Sequence, residues 1–191
     1  MKRLYCFLVL LATSSATCAF EFPLGHEPTA IAATGTIQLA FTPGDDAGEL
    51  VVKAIHSATR QVLVQSFSFT HRKIAQALID AKRRGVDVQL IADEEQIKRM
   101  ERGLVPEIAA AGVPTFVDRQ HASAHNKIMI IDPSSSQAAV ITGSFNFTHA
   151  AQYKNAENLL VFRGNPKLTQ TYLNNWQSHR EHAHPFEDKN E

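Results

Sequence analysis

The chain has 191 residues, with 19 Lys and Arg balancing 19 Asp and Glu and 44% hydrophobic residues, the composition of one globular domain of mixed polarity. It excludes collagen, coiled coil and a disordered tail. Zero formal net charge also excludes a strongly basic protein that coats nucleic acid, because binding by phosphate neutralisation needs a surplus of Lys and Arg.

Residues 1–19 read as a cleavable signal peptide. Lys2 and Arg3 form a positive start, Leu4 to Ala12 is a short apolar run, and small residues follow up to Ala19, with Ala16 as a competing cleavage site. The apolar run is less than half of the roughly 20 residues a spanning helix needs. Export to a periplasm or to the medium is therefore expected, with no stable membrane insertion after cleavage. Cleavage leaves 172 residues and a net charge of −2 and removes Cys6 and Cys18. A mature chain without cysteine has no disulfide, no thiolate metal site and no Cys nucleophile.

Residues 20–36 carry Pro and Gly without a periodic apolar face and read as a lead-in segment. The domain proper is expected over 37–180. Ile37–Phe41 reads as a strand. Asp46 with Glu49 three residues on is a capping box opening a helix with Val51, Ala54, Ile55 and Ala58 on one face. Gln61–Phe67 is a buried strand, 71–84 a helix stopped by Gly85, and Val86–Ala92 another strand. A polar helix around 95–102, a short helix from Pro106 to the stop at Gly112, and a strand over Val113–Val117 follow. Lys127–Asp132 and Ala138–Thr142 form a strand pair, Asn158–Phe162 is one more strand, and Asn165-Pro166 caps a last helix with Leu168, Tyr172, Leu173 and Trp176. The result is an α/β (α+β) layered domain, a mixed β-sheet flanked by helices. The charged residues 181–191 are expected to form a loose polar tail.

The stretch that carries chemistry is His125-Asn126-Lys127, with Asp132 five residues beyond the Lys, followed by Gly143-Ser144-Phe145-Asn146. On an extended chain side chains alternate faces, so His125 and Lys127 share one side and Asp132 takes the other. An imidazole beside an ammonium suits attack on a phosphodiester, the Lys balancing the phosphoryl oxygens while the imidazole acts as nucleophile or acid.

The full pattern H-x-K-x(4)-D with G-S-x-N resembles the phospholipase D superfamily. The signal peptide, the single motif copy, the GSFNFT run and the Lys154–Asn158 segment resemble its small bacterial exported endonucleases. The resemblance implies that His125 is the nucleophile of a phosphohistidine intermediate and that Lys127 binds phosphate oxygens. It further implies that Ser144 and Asn146 complete the phosphate pocket and that Glu157 orients the His. Asp132, grouped with the catalytic motif, inherits a chiefly fold-supporting role. The substrate implied is nucleic acid, DNA and also RNA, with no cofactor. Members of the superfamily use two His/Lys motifs and this chain has one, so a homodimer with a shared active site on its two-fold axis is expected.

His121-x3-His125 and His182-x-His184 invite a metal reading, but the first lies in a loop without a carboxylate pair and the second in the polar tail, so no metal is assigned. Phe67, Phe69, Phe145 and Phe147 are expected in the core rather than stacked on bases. His71-Arg72-Lys73, Lys82-Arg83-Arg84 and Arg119 are local basic groups able to track a phosphate backbone or to sit on solvated faces. A phospholipid headgroup is the rival substrate, and a catalytically silent phosphate-binding module is the reading of a different class.

Overall fold

The computed structural model describes residues 28–100 and 103–187; the expected signal peptide lies outside them. From Ile31 onward the chain forms one compact unit. Its strands are β1 (Thr36–Thr42), β2 (Gln61–Ser66), β3 (Asp87–Asp93), β4 (Thr115–Asp118), β5 (Lys127–Ile131), β6 (Ala139–Gly143), β7 (Glu157–Arg163) and β8 (His184–Pro185). They make one sheet in the order β1-β7-β6-β5-β2-β3-β4-β8. The pairs β2–β3 and β3–β4 are parallel and the others antiparallel, so the sheet is mixed, as expected.

The helices are α1 (Ala47–His56), α2 (Arg72–Arg83), α3 (Glu94–Arg99), α4 (Val105–Ala110), α5 (His149–Tyr153) and α6 (Pro166–His182). Local signals set their ends. The Asp46 carboxylate accepts from the Glu49 amide at 3.0 Å, Asn165 accepts from the Leu168 amide at 3.0 Å with Pro166 beginning the helix, and Gly85 and Gly112 take φ of 88° and 85° beyond α2 and α4. The periodic face of α1 is buried, from Val51 through Ala54 and Ile55 to Ala58.

The sheet has two apolar faces. Val62, Val64, Val88, Leu90, Met129 and Ile131 pack on one side under α1, α2 and α4. Leu63, Ile91, Ile128 and Ile130 pack on the other against Trp176 of α6. Central strands buried on both faces explain why VLV and IMII read as unbroken apolar runs. Trp176 resolves its one polar atom by donating from Nε1 to the Val64 carbonyl at 3.1 Å.

Three expectations need correction. The polar helix expected around 95–102 runs from Glu94 to Arg99: the Asp93 carboxylate caps its start by accepting from the Gln96 amide at 2.9 Å, and Met100 leaves the helical conformation with φ of −98° and ψ of 97°. The tail from 181 is not loose at its start: α6 continues to His182, Ala183 is buried, and His184–Pro185 pairs with Val117 and Phe116 of β4. Edge pairing and side-chain contacts to β4 hold a segment whose polar composition pointed to solvent. The short α5, capped by Thr148 accepting from the Ala151 amide at 3.1 Å, was not expected. Five residues are too few to show an apolar period.

Candidate active site

β5 begins where the parallel strands β2 and β3 end, with Ser66 opposite Lys127. His125 lies just before this strand in a loop that two contacts fix. The Ala124 amide donates to Asp93 Oδ2 at 2.7 Å and the Phe67 amide donates to the Asn126 carbonyl at 2.9 Å. Asp93 therefore positions the loop and caps α3 with its two oxygens. The pairing and two-residue spacing bring the side chains together as alternation requires: Lys127 Nζ lies 2.9 Å from His125 Nδ1 and donates to the His125 carbonyl at 2.6 Å.

The two side chains open into a cleft of about 840 Å³ that also presents Ser144, Asn146 and Glu157. The wall opposite comes from the first turns of α6, with Leu168, Thr171, Tyr172 and Asn175. His125 is exposed and Lys127 is 7% exposed. Burial lowers the Lys127 ammonium to a pKa of about 8 against the opposing charges of Glu157 and Asp93. A desolvated cation at the floor of an open cleft has unmet demand for an anion.

The segment 143–146 is shaped by Asn158. Ser144 donates its amide to Asn158 Oδ1 at 2.8 Å, and the Asn158 amide donates to Ser144 Oγ at 3.0 Å. Gly143 has φ of 141°, and a Cβ there would run into the Asn158 carbonyl. This close approach requires glycine. Asn146 lines the cleft with its Oδ1 buried and without a hydrogen-bond partner; that atom is an acceptor, so only the NH₂ side of the amide can serve a phosphoryl oxygen.

Of the sequence candidates, His125, Lys127, Ser144, Asn146 and Glu157 line one cleft and Asp132 does not. Asp132 sits past the far end of β5, 4% exposed, with φ of 46°. Its carboxylate accepts from the amides of Thr59, Arg60 and Gln61, each at 2.8 Å, and from Thr59 Oγ1 at 2.9 Å. It is a clamp on the turn into β2, so its grouping with catalytic residues is corrected to a structural one. Glu157 accepts from Asn155 Nδ2 at 2.9 Å, while the imidazole contact is made by Lys127.

Phe69, Phe145 and Phe147 are core residues, 2%, 0% and 0% exposed. Phe67 is not: its ring centroid lies 4.3 Å from that of His125, with Lys127 Nζ 4.8 Å from the ring centre, a cation–π contact. Sequence reasoning missed Phe67, Asp93 and Asn158 as supports of the site. Asp93 was visible only as the polar end of an apolar strand, and Asn158 only as the residue after Glu157.

An exposed imidazole touching a partly desolvated ammonium, beside a Gly-Ser turn at the strand ends of a mixed sheet, suits a phosphoryl-binding hydrolase. Residues 51–180 match the family described as cardiolipin synthase, PLD-like domain, and the chain belongs to the phospholipase D superfamily. It is a phospholipase D-like phosphodiesterase. A protein named phospholipase D from Rickettsia bellii is 35% identical over 144 residues, which is 75% of this chain and 69% of that one. A mitochondrial cardiolipin hydrolase of Xenopus laevis is 29% identical over 61% of this chain and 53% of its own. The crystal structure of a phospholipase D family member, Nuc from Salmonella typhimurium, superposes with a TM-score of 0.75 at 34% identity, covering 81% of this chain and all of that one.

Proposed function

We propose that the chain is an exported endonuclease that hydrolyses DNA, and RNA, through a phosphohistidine intermediate formed on His125, without a catalytic metal. The observation that carries the reading is the contact of His125 with the partly desolvated Lys127 in an open cleft. Lys127 takes the phosphoryl oxygens, with the Ser144 hydroxyl and the Asn146 amide beside them. His125 Nε2 forms the P–N bond as one P–O bond breaks, and water then attacks phosphorus, forming a new P–O bond as the P–N bond breaks and the imidazole is freed. Attack by Nε2 requires the proton on Nδ1. An ammonium only donates, so Lys127 must turn from Nδ1 to the phosphate, and Glu157 is the carboxylate on the same cleft able to hold the Nδ1 proton.

The leaving oxygen needs a proton, and one chain supplies one such histidine. A homodimer with the cleft on its two-fold axis answers this, the partner subunit's His125 acting as acid and base. Ile37, Leu39 and Phe41 support that reading: they alternate along the edge strand β1, are 50%, 58% and 58% exposed, and Phe41 borders Ser144 and Glu157. Such an apolar row on a sheet edge calls for a cover.

A polyanionic substrate is supported by a second cleft, lined by Arg72, Lys73, His149 and Lys154. Arg119 is less available, paired with Glu94 at 3.0 Å. The names of the relatives, phospholipase D and cardiolipin hydrolase, favour a phospholipid as the second reading. No helix among the described residues is long and apolar enough to cross a membrane.

The test incubates the purified chain in EDTA with plasmid DNA, with RNA and with phosphatidylcholine vesicles. Nucleic-acid cleavage that His125→Ala abolishes is expected. Lipid turnover alone selects the second reading, and no turnover of any substrate leaves only a phosphate-binding module. Excess His125→Ala subunits, exchanged into the unmutated protein, are expected to suppress its activity. Undiminished activity overturns the shared site.

A further inference from the structure

A second cluster of chemistry-bearing side chains lies away from the cleft, where the last turns of α6 meet the end of β4. Asp118 ends β4 with its side chain fully buried. Three histidines surround it: His121 from the loop that follows, and His179 and His182, three residues apart at the end of α6. His121 Nδ1 and His179 Nδ1 lie 3.0 Å from Asp118 Oδ2, and His182 Nε2 lies 3.2 Å from the same atom. The ring centroids are 5.0 to 5.3 Å apart, a closed triangle about one oxygen.

Two features make this more than a hydrogen-bonded cluster. The first is direction: a carboxylate oxygen offers two lone pairs, and three imidazole nitrogens from separate turns of chain converge on Oδ2. The second is how the carboxylate is held. Oδ1 accepts from the amides of Gln120 at 3.0 Å and His121 at 3.2 Å, which fixes the orientation of Oδ2 from behind, as outer hydrogen bonds do for a ligating group.

We propose that Asp118, His121, His179 and His182 bind one divalent transition-metal ion, with Zn²⁺ the best chemical match, which ties the end of α6 to the edge of the sheet. Three imidazoles and one carboxylate form a nitrogen and oxygen set of the size Zn²⁺ takes in closed tetrahedral sites. Bond lengths of about 2.0 to 2.1 Å give ligand–ligand edges of about 3.3 Å in such a site. The contacts to Oδ2 are close to that edge, and all four ligand atoms lie within 4.8 Å of one another. The site is structural. His125 and Lys127 are no part of it, and it does not depend on the nuclease reading. It also revises the expectation for residues 181–191, because His182, read as solvated tail, belongs to a built cluster.

The experiment strips the purified full chain with a chelator and titrates it with Zn²⁺ by calorimetry, with melting followed in parallel. One ion per chain is expected, with the midpoint raised by about 5–10 °C at a hundredfold excess of free ion over its Kd. His121→Ala, in a loop where the side chain is 44% exposed, should weaken binding at least tenfold, and His179→Ala with His182→Ala at least a hundredfold. His125→Ala should leave binding unchanged. Co²⁺ in place of Zn²⁺ should give the visible bands of a tetrahedral site in the unmutated chain, a readout that holds even if the double variant fails to fold. Absence of stoichiometric binding, or binding that His125→Ala abolishes and His121→Ala leaves intact, overturns the proposal.

Discussion

Replacing Asp132 by Asn separates a structural role from a chemical one at the third residue of the motif. The substitution is isosteric, and Asn tolerates the positive φ of 46° found here, so the backbone contributes nothing to the loss. In the native chain Oδ1 accepts from the amides of Arg60 and Gln61, and Oδ2 from the amide and hydroxyl of Thr59. Asn keeps one acceptor oxygen and turns an NH₂ group toward N–H donors. Two bonds are lost at about 1–2 kcal/mol each, a total of about 2–4 kcal/mol. For a domain of this size that lowers the melting midpoint by about 5–15 °C. Calorimetric melting and phosphodiesterase assays well below the midpoint are the measurements. Activity per folded molecule should stay within about twofold, because the carboxylate lies beyond the far end of β5 from Lys127. An unchanged midpoint together with a hundredfold loss of activity would refute the reasoning and return Asp132 to the chemistry. The variant should also flatten the acid limb of stability. Burial works to raise the Asp132 pKa, but the amides of Gln61, Thr59 and Arg60 outweigh it and hold the carboxyl below its ordinary value. Its contribution is therefore present above the unfolded pKa and is lost as pH falls through the folded one.

The Lys127 ammonium, with its pKa lowered by burial to about 8, is charged below that pH and neutral above it, so kcat/KM should fall about tenfold per unit on the alkaline side; a profile flat to pH 10 would show that its charge does not bind the phosphate. Lys127→Arg should remove that alkaline limb, whatever activity it retains, since the guanidinium does not titrate there. Gly143→Ala should cost at least tenfold in activity, measured as initial rate on plasmid, because its Cβ meets the Asn158 carbonyl and pushes Ser144 out of place; wild-type activity in that variant would separate the turn from the site. Lys73→Ala and Lys154→Ala should each lower the slope of log binding constant against log salt by about 0.9 on duplex DNA, read by fluorescence anisotropy in the His125→Ala background, and an unchanged slope would remove the second cleft from the substrate path.

Much of the fold was legible because the signals were local. Capping residues such as Asp46 and Asn165 satisfy amides within their own first turn, and unbroken apolar runs such as Val62–Val64 mark strands buried on both faces. The short α5 and the pairing of His184–Pro185 were not legible. The first is too short to show an apolar period, and the second depends on a distant partner surface, β4.

At the site, the amino-acid sequence by itself determined that His125 and Lys127 share a side and that Asp132 does not, since alternation along a strand is a property of the backbone alone. That Gly143 has to be glycine follows from the Asn158 carbonyl its Cβ would meet, which is a tertiary contact. Only the tertiary structure decided that Phe67 packs against the imidazole, that Asp93 holds the loop of His125, and that His121, His179 and His182 converge on Asp118. Those contacts join residues up to 64 positions apart. Which distant side chains meet is set by sheet order and by the docking of α6, and no spacing along the chain carries that information.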